Sequence, residues 1–160
     1  MTTLAYKENI LCVDSVSISG SFVLNLDTIK IQFKEGVYFF LCGNVPDEEE
    51  LIKAFIKRKR DPNINDLSSY GFAVEKETRD LFKLACDNEA GFWFDKLNKR
   101  EHYACGSGAP YALAAMDTGK SAIEAVGYAM LRDIYSGGKR RAFNLETLET
   151  TIFPGKEISL

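Results

Sequence analysis

A single histidine, His102, occurs in 160 residues. That scarcity argues against a Ser-His-Asp triad and a multi-histidine metal site, because both need imidazoles in numbers or in company. Cysteine is sparse and badly spaced for chemistry. Cys12, Cys42, Cys86 and Cys105 form no C-x-x-C pair, and each sits in an apolar or small-residue run that reads as a strand. They are expected to be buried free thiols in a reducing compartment. Neither sign of charge dominates. A net charge of −3 and a pI near 5.3 are the wrong balance for a nucleic-acid footprint. No apolar stretch is long enough to cross a membrane, and the N-terminus lacks the basic and apolar regions of a signal peptide. A cytoplasmic chain without cofactor or metal is the expectation. Repeats and low-complexity segments are absent too, so residues 1–160, at 46% hydrophobic, are expected to form one domain.

What remains is ordered into strands and a few helices. Leu4 to Tyr6 and Ile10 to Val13 flank Lys7-Glu8-Asn9, a hairpin turn. Ser21 to Leu26, Thr28 to Phe33 and the continuous apolar run Val37 to Cys42 read as further strands. A helix follows Asn44-Val45-Pro46-Asp47, with Leu51, Ile52, Phe55 and Ile56 on one face. It ends in Lys57-Arg58-Lys59-Arg60, which with Lys139-Arg140-Arg141 is expected to be a solvated face. Asn63 to Tyr70 is a polar connection with room for one helical turn. Phe72 to Val74, Leu81 to Cys86, Gly91 to Asp95 and His102 to Cys105 are strand-like, with His102 exposed. Two helices come next, one after Gly106-Ser107-Gly108-Ala109-Pro110 and one opened by the capping box Ser121-Ala122-Ile123-Glu124. Ala142 to Leu145 and Thr150 to Phe153 complete the strands. Two successive helices break regular βαβ alternation, so two packed sheets with outer helices fit better.

One short string carries chemistry. Thr2 and Thr3 follow Met1 in MTTLAYK. If Met1 is removed, the chain begins with a residue that holds a hydroxyl nucleophile beside an α-amine. That amine titrates at about pH 7.7–8.0 and can serve as base for its own hydroxyl. Such a nucleophile also needs a cation, carboxylates to hold it, and backbone N–H groups facing the developing oxyanion. A hairpin centred on Glu8 puts Thr2 opposite Asp14, which ends an apolar strand and so needs a partner. Lys30 lies in a strand whose Ile29 and Ile31 face away from it. Its inward face would bring the ammonium to Thr2 and Asp14; on its own, the same lysine reads as an ordinary surface residue.

These residues resemble the proteasome β-subunit family, including the bacterial HslV-type proteases, which are N-terminal-nucleophile hydrolases. TTLAYK is similar to the mature start of catalytic subunits, and ILCVDS to the strand ending in Asp-Ser. The interval from Asp14 to Lys30 matches without a gap. LCGNVPD, ACGSGAPYALAAMD and RDIYSGG resemble three further family segments. The resemblance implies an α+β fold, a four-layer αββα sandwich of two antiparallel sheets flanked by helices. It implies that Thr2 is the nucleophile, Lys30 and Asp14 its cation and carboxylate, and Gly43 the oxyanion donor. Ser107, Asp133 and Ser136 would form the polar network around the amine. Substrate would add as a strand beside Ile18 and Ser19, and Ser17, Leu41 and Val45 would line an uncharged pocket for apolar side chains. The implied activity is that of a threonine endopeptidase on peptides or unfolded proteins, in a homo-oligomer; an ATPase unfoldase partner is left open.

Two departures qualify this. The hairpin from Thr2 to Asp14 is short, and TLAYK also aligns with Met1 in the nucleophile position, which gives an inactive structural or assembly subunit that retains Met1. The connection after Arg60 has no room for the family's second long helix, although Phe92 to Arg100 partly offsets the loss. Only Met1 precedes Thr2 here, so the expectation is that an aminopeptidase, and not propeptide cleavage, exposes it. A small-molecule amidase using the same nucleophile is the third reading.

Overall fold

A computed structural model describes residues 2–155. It falls into two compact units, one of residues 1–30 with 99–160 and the other of residues 31–98. Alternation of apolar residues builds both.

In the first unit, β1 (Thr3–Lys7) and β2 (Ile10–Asp14) form a hairpin. Beside it lie β10 (Tyr103–Gly106) on one edge and β11 (Arg140–Asn144) then β12 (Thr150–Phe153) on the other, all antiparallel. Ala5 and Cys12 face α2 (Ala109–Asp117) and α3 (Ala122–Arg132), which supply Ala112, Met116, Ala125, Val126 and Ala129 to one core. The small residues let these helices approach the sheet closely. The alternate residues Leu4, Tyr6, Leu11 and Val13 are also fully buried. Ser121 and Glu124 make the expected capping box at the start of α3. A separate two-stranded ribbon pairs β3 (Ser17–Ser19) with β4 (Phe22–Asn25).

The second unit is an antiparallel sheet in sequence order, β5 (Ile31–Lys34), β6 (Val37–Gly43), β7 (Ser69–Glu75), β8 (Leu81–Asp87) and β9 (Gly91–Lys96). Its helix α1 (Val45–Ile56) buries Leu51, Ile52, Ala54 and Phe55 against Val37, Phe39, Leu41, Ala73 and Leu84. Phe55 meets Phe39, Phe82 and Phe94 edge to face.

Several sequence expectations need correction. The β1–β2 turn is two residues, Glu8 and Asn9, both at positive φ (50° and 63°). Its centre therefore lies between them, and the register pairs Leu4 with Val13, which brings Thr3 rather than Thr2 level with Asp14. Thr28 to Lys30 is not strand. The backbone there bonds to loops and side chains instead of to a ladder, as when the Thr28 N–H donates to the Ser15 carbonyl at 2.8 Å. Residues 63–68 contain no helical turn; β7 begins at Ser69. The run at Lys139 is not a solvated face. Arg141 is 7% exposed, Arg140 donates to the Ile123 and Pro154 carbonyls, and Lys139 pairs with Asp27. The earlier basic run is mostly exposed, though Arg58 lies over the Phe55 ring and pairs with Glu75. All four cysteines sit in strands and none is in a disulfide; Cys12, Cys42 and Cys105 are buried and Cys86 is half-buried. His102 stands just before β10, half-buried, with Nε2 2.7 Å from Asp117 Oδ1. No helix among the described residues is long and apolar enough to cross a membrane.

Candidate active site

Three segments of the first unit converge at the start of the chain. β2 delivers Asp14 at its C-terminal end, where the strand leaves the sheet and its carboxylate can turn toward neighbouring loops. The irregular segment before β5 delivers Lys30. Thr2 precedes the first residue of β1. The Lys30 ammonium donates to Thr2 Oγ1 at 2.7 Å and to Asp14 Oδ1 at 3.0 Å. Asp14 has no exposed side-chain surface, and Lys30 has 10%. Burial pushes the Asp14 carboxyl above the ordinary range, while the Lys30 charge and the N–H groups of Gly137 and Thr3 pull it down. Those N–H groups sit 3.0 Å from Oδ2 and 2.9 Å from Oδ1. Asp14 is thus desolvated but saturated with donors.

A second chain of polar groups meets the same strand. Asp133 caps α3 and accepts at Oδ2 from Ser107 at 2.7 Å and from Ser136 at 2.5 Å. Ser136 Oγ lies 2.5 Å from Thr3 Oγ1. Since Ser136 spends its single proton on Asp133, Thr3 is the donor to Ser136. The turn after α3 is tied to β2's exit, because the Gly137 carbonyl accepts from both Ser15 N and Val16 N. Close approach also dictates the turn before α2. A Cβ on Gly106, at φ 94°, would lie 1.8 Å from the Thr2 carbonyl oxygen, and one on Gly108 would lie 1.9 Å from Thr3 Oγ1. Only glycine fits on either side of Ser107.

The structure therefore gathers Thr2, Asp14 and Lys30 in one cluster, and Ser107, Asp133 and Ser136 in an adjoining one. Ser17, Ile18 and Ser19 form β3, each strand of whose ribbon has a single strand partner. Gly43 ends β6 and is exposed; Leu41 is buried beneath α1 and Val45 opens α1 with 70% exposure, all three in the second unit. Sequence reasoning missed Thr3 and Gly137 as ligands of these networks. Counting the hairpin from a two-residue turn would have found Thr3. Gly137 acts through its backbone, for which a glycine-rich turn gives no residue-specific signal.

No family model matches the chain, and no curated protein matches it. Among solved structures, a chain of Thiobacillus denitrificans BPH in complex with epoxomicin aligns at a TM-score of 0.64 and 18% identity, over 89% of this chain and 96% of that one. What the two share is the fold. The sheets and three helices of the described residues are consistent with a proteasome-like fold.

Proposed function

We propose that this protein is a proteasome-type threonine endopeptidase whose nucleophile is Thr2, exposed by removal of Met1. The observation that carries the reading is the Lys30 ammonium, bonded at once to Thr2 Oγ1 and to Asp14. A cation 2.7 Å from a hydroxyl oxygen favours its alkoxide, and a buried carboxylate holds the cation in place. The same contact favours Thr2 over an alignment that puts Met1 in the nucleophile position.

In the proposed reaction, Thr2 Oγ attacks a peptide carbonyl carbon as its proton passes to the freed α-amine. The tetrahedral oxyanion needs a backbone N–H donor, the role that the resemblance assigns to Gly43. The carbon–nitrogen bond then breaks, the departing amine takes the proton, and an ester joins Thr2 to the acyl fragment. Water attacks that ester with the amine again as base, releasing a carboxylic acid and the free hydroxyl. Ser107, Asp133 and Ser136 hold the start of the chain beside this chemistry through Thr3. Substrate would add as a strand beside β3, with Ser17, Ile18 and Ser19 in contact. The reading includes the four-layer αββα sandwich, a cytoplasmic location, and a homo-oligomer acting on peptides or unfolded protein.

Intact-mass spectrometry with a β-lactone probe tests it. The expected result is a chain lacking Met1 that gains one lactone, mapped to Thr2, with no gain in Thr2→Ala. A chain that retains Met1 and is not acylated, beside a labelled control β-subunit, would instead mean a structural subunit. A peptide library against small amides separates the endopeptidase from an amidase.

A further inference from the structure

Lys30 belongs to no strand, so something other than a sheet ladder must fix its backbone. The preceding segment is pinned by five hydrogen bonds, all within the first unit. Ser15 Oγ donates to the Leu26 carbonyl at 2.6 Å, and Thr28 N donates to the Ser15 carbonyl at 2.8 Å. Arg141, in β11, donates through Nη1 to the Thr28 carbonyl at 3.2 Å and through Nη2 to Asp27 Oδ1. Lys139 Nζ donates to Asp27 Oδ2 at 2.6 Å. The backbone opposite is equally close, since a Cβ on Gly138 would lie 2.1 Å from the Leu26 carbonyl oxygen.

Arg141 is the unusual member. It is 7% exposed and sits in β11 directly across from Val13, one residue before Asp14 on the neighbouring strand. A planar guanidinium with donors in a fixed fork can hold a carboxylate and a carbonyl together; a lysine ammonium lacks that shape. One rigid group thus ties the sheet carrying Asp14 to the loop carrying Lys30.

We propose that Arg141 and Asp27 form a clamp that sets the position of the Lys30 ammonium between Thr2 and Asp14. Both are positioning residues: their bonds are to each other, to Thr28 and to Lys139, so they act through the segment that carries Lys30. The proposal rests on the reading of Thr2 as nucleophile only for its effect on rate; its geometric content stands without it. Catalytic groups tolerate little displacement, and an error of about 1 Å costs on the order of a hundredfold in rate.

The test uses the full chain and the variants Arg141→Gln, Arg141→Lys and Asp27→Ala, with two readouts. The first is the NMR signal of the Lys30 ammonium in protein labelled with lysine nitrogen-15, which is visible only while its protons are held in hydrogen bonds. The second is the pH profile of β-lactone acylation, read by intact mass. Arg141→Gln and Asp27→Ala are expected to broaden or shift the Lys30 signal and to slow acylation about tenfold or more with a displaced pH profile. Arg141→Lys, which keeps the charge but not the fork, is expected to fall between them and the wild type. Asp27 is 43% exposed in its side chain, so Asp27→Ala reports even where Arg141→Gln does not fold. An unchanged Lys30 signal and pH profile in Asp27→Ala overturns the clamp while leaving the peptidase reading intact. A wild type that is never acylated overturns the peptidase reading, and the Lys30 signal then decides the clamp alone.

Discussion

Asp14 and Lys30 are each costly to bury and each the other's remedy. Asp14 is held above the ordinary carboxyl range by desolvation, with Lys30 the largest opposing influence. A carboxyl raised in the folded state binds its proton more tightly there than in the unfolded chain. Stability therefore falls as pH rises from roughly 4, the unfolded value, through the folded one, and stays level above it. Lys30→Met removes the counter-charge and raises Asp14 further, so its decline continues to higher pH. The expected result is a destabilisation relative to wild type of about 3 kcal/mol at neutral pH. It should shrink toward zero as pH falls below the range where Asp14 is protonated in both proteins. Urea unfolding at pH 4 to 8 checks this; a pH-independent difference would mean that Asp14 does not carry the effect. Asp14 was legible in sequence as a carboxylate ending an apolar strand, whereas Lys30 alone reads as a surface lysine and was picked out by its company. Arg141 was not, because a basic triplet reads as solvent-facing until β11 is seen to turn its third member inward.

At the scale of elements, periodicity located most of the architecture. Thr150–Phe153 stands as read, and the capping box and the two helices around it were visible in their turn residues. Register was harder, because it depends on turn geometry rather than on composition. Placing the hairpin's centre on Glu8 shifts every cross-strand pair by one, which is enough to exchange Thr2 for Thr3 opposite Asp14. The irregular segment at 26–30 was hidden for a related reason. Its β-branched and apolar residues mimic a strand, while its backbone partners come from Ser15 and Arg141, which local sequence cannot show. The turn itself is improvable. Glu8 adopts φ 50°, where Asn is tolerated far better than a long side chain. Glu8→Asn is expected to stabilise the protein by about 0.5 kcal/mol in urea titrations and to leave acylation of Thr2 unchanged. A register shift would instead lower both.

At the scale of the whole molecule, the ribbon β3–β4 and the loop after it stand out as unlike an ordinary surface. Phe22, Val23, Leu24, Leu26 and Ile29 are each more than half exposed, and Ile134, just past α3, is 81% exposed. Single exposed hydrophobes need no explanation, but a contiguous run of them does. A groove of about 510 Å³ joins the two groups, lined by Val16, Ile18, Val23, Leu26, Leu131 and Ile134. The net charge of −3 offers little repulsion between copies. These features support the homo-oligomer proposed above, with the ribbon as part of its contact. Phe22 and Leu24 alternate along β4 and so share a face. Replacing both with Asp places two charges on that face without touching either helix-backed core. In sedimentation velocity, the wild type is expected to run as a defined oligomer and Phe22→Asp/Leu24→Asp as a smaller species with an unaltered circular-dichroism spectrum. An oligomer that survives both charges would place its contacts elsewhere, and a wild type that is monomeric at micromolar concentration would remove the case for self-association through this ribbon.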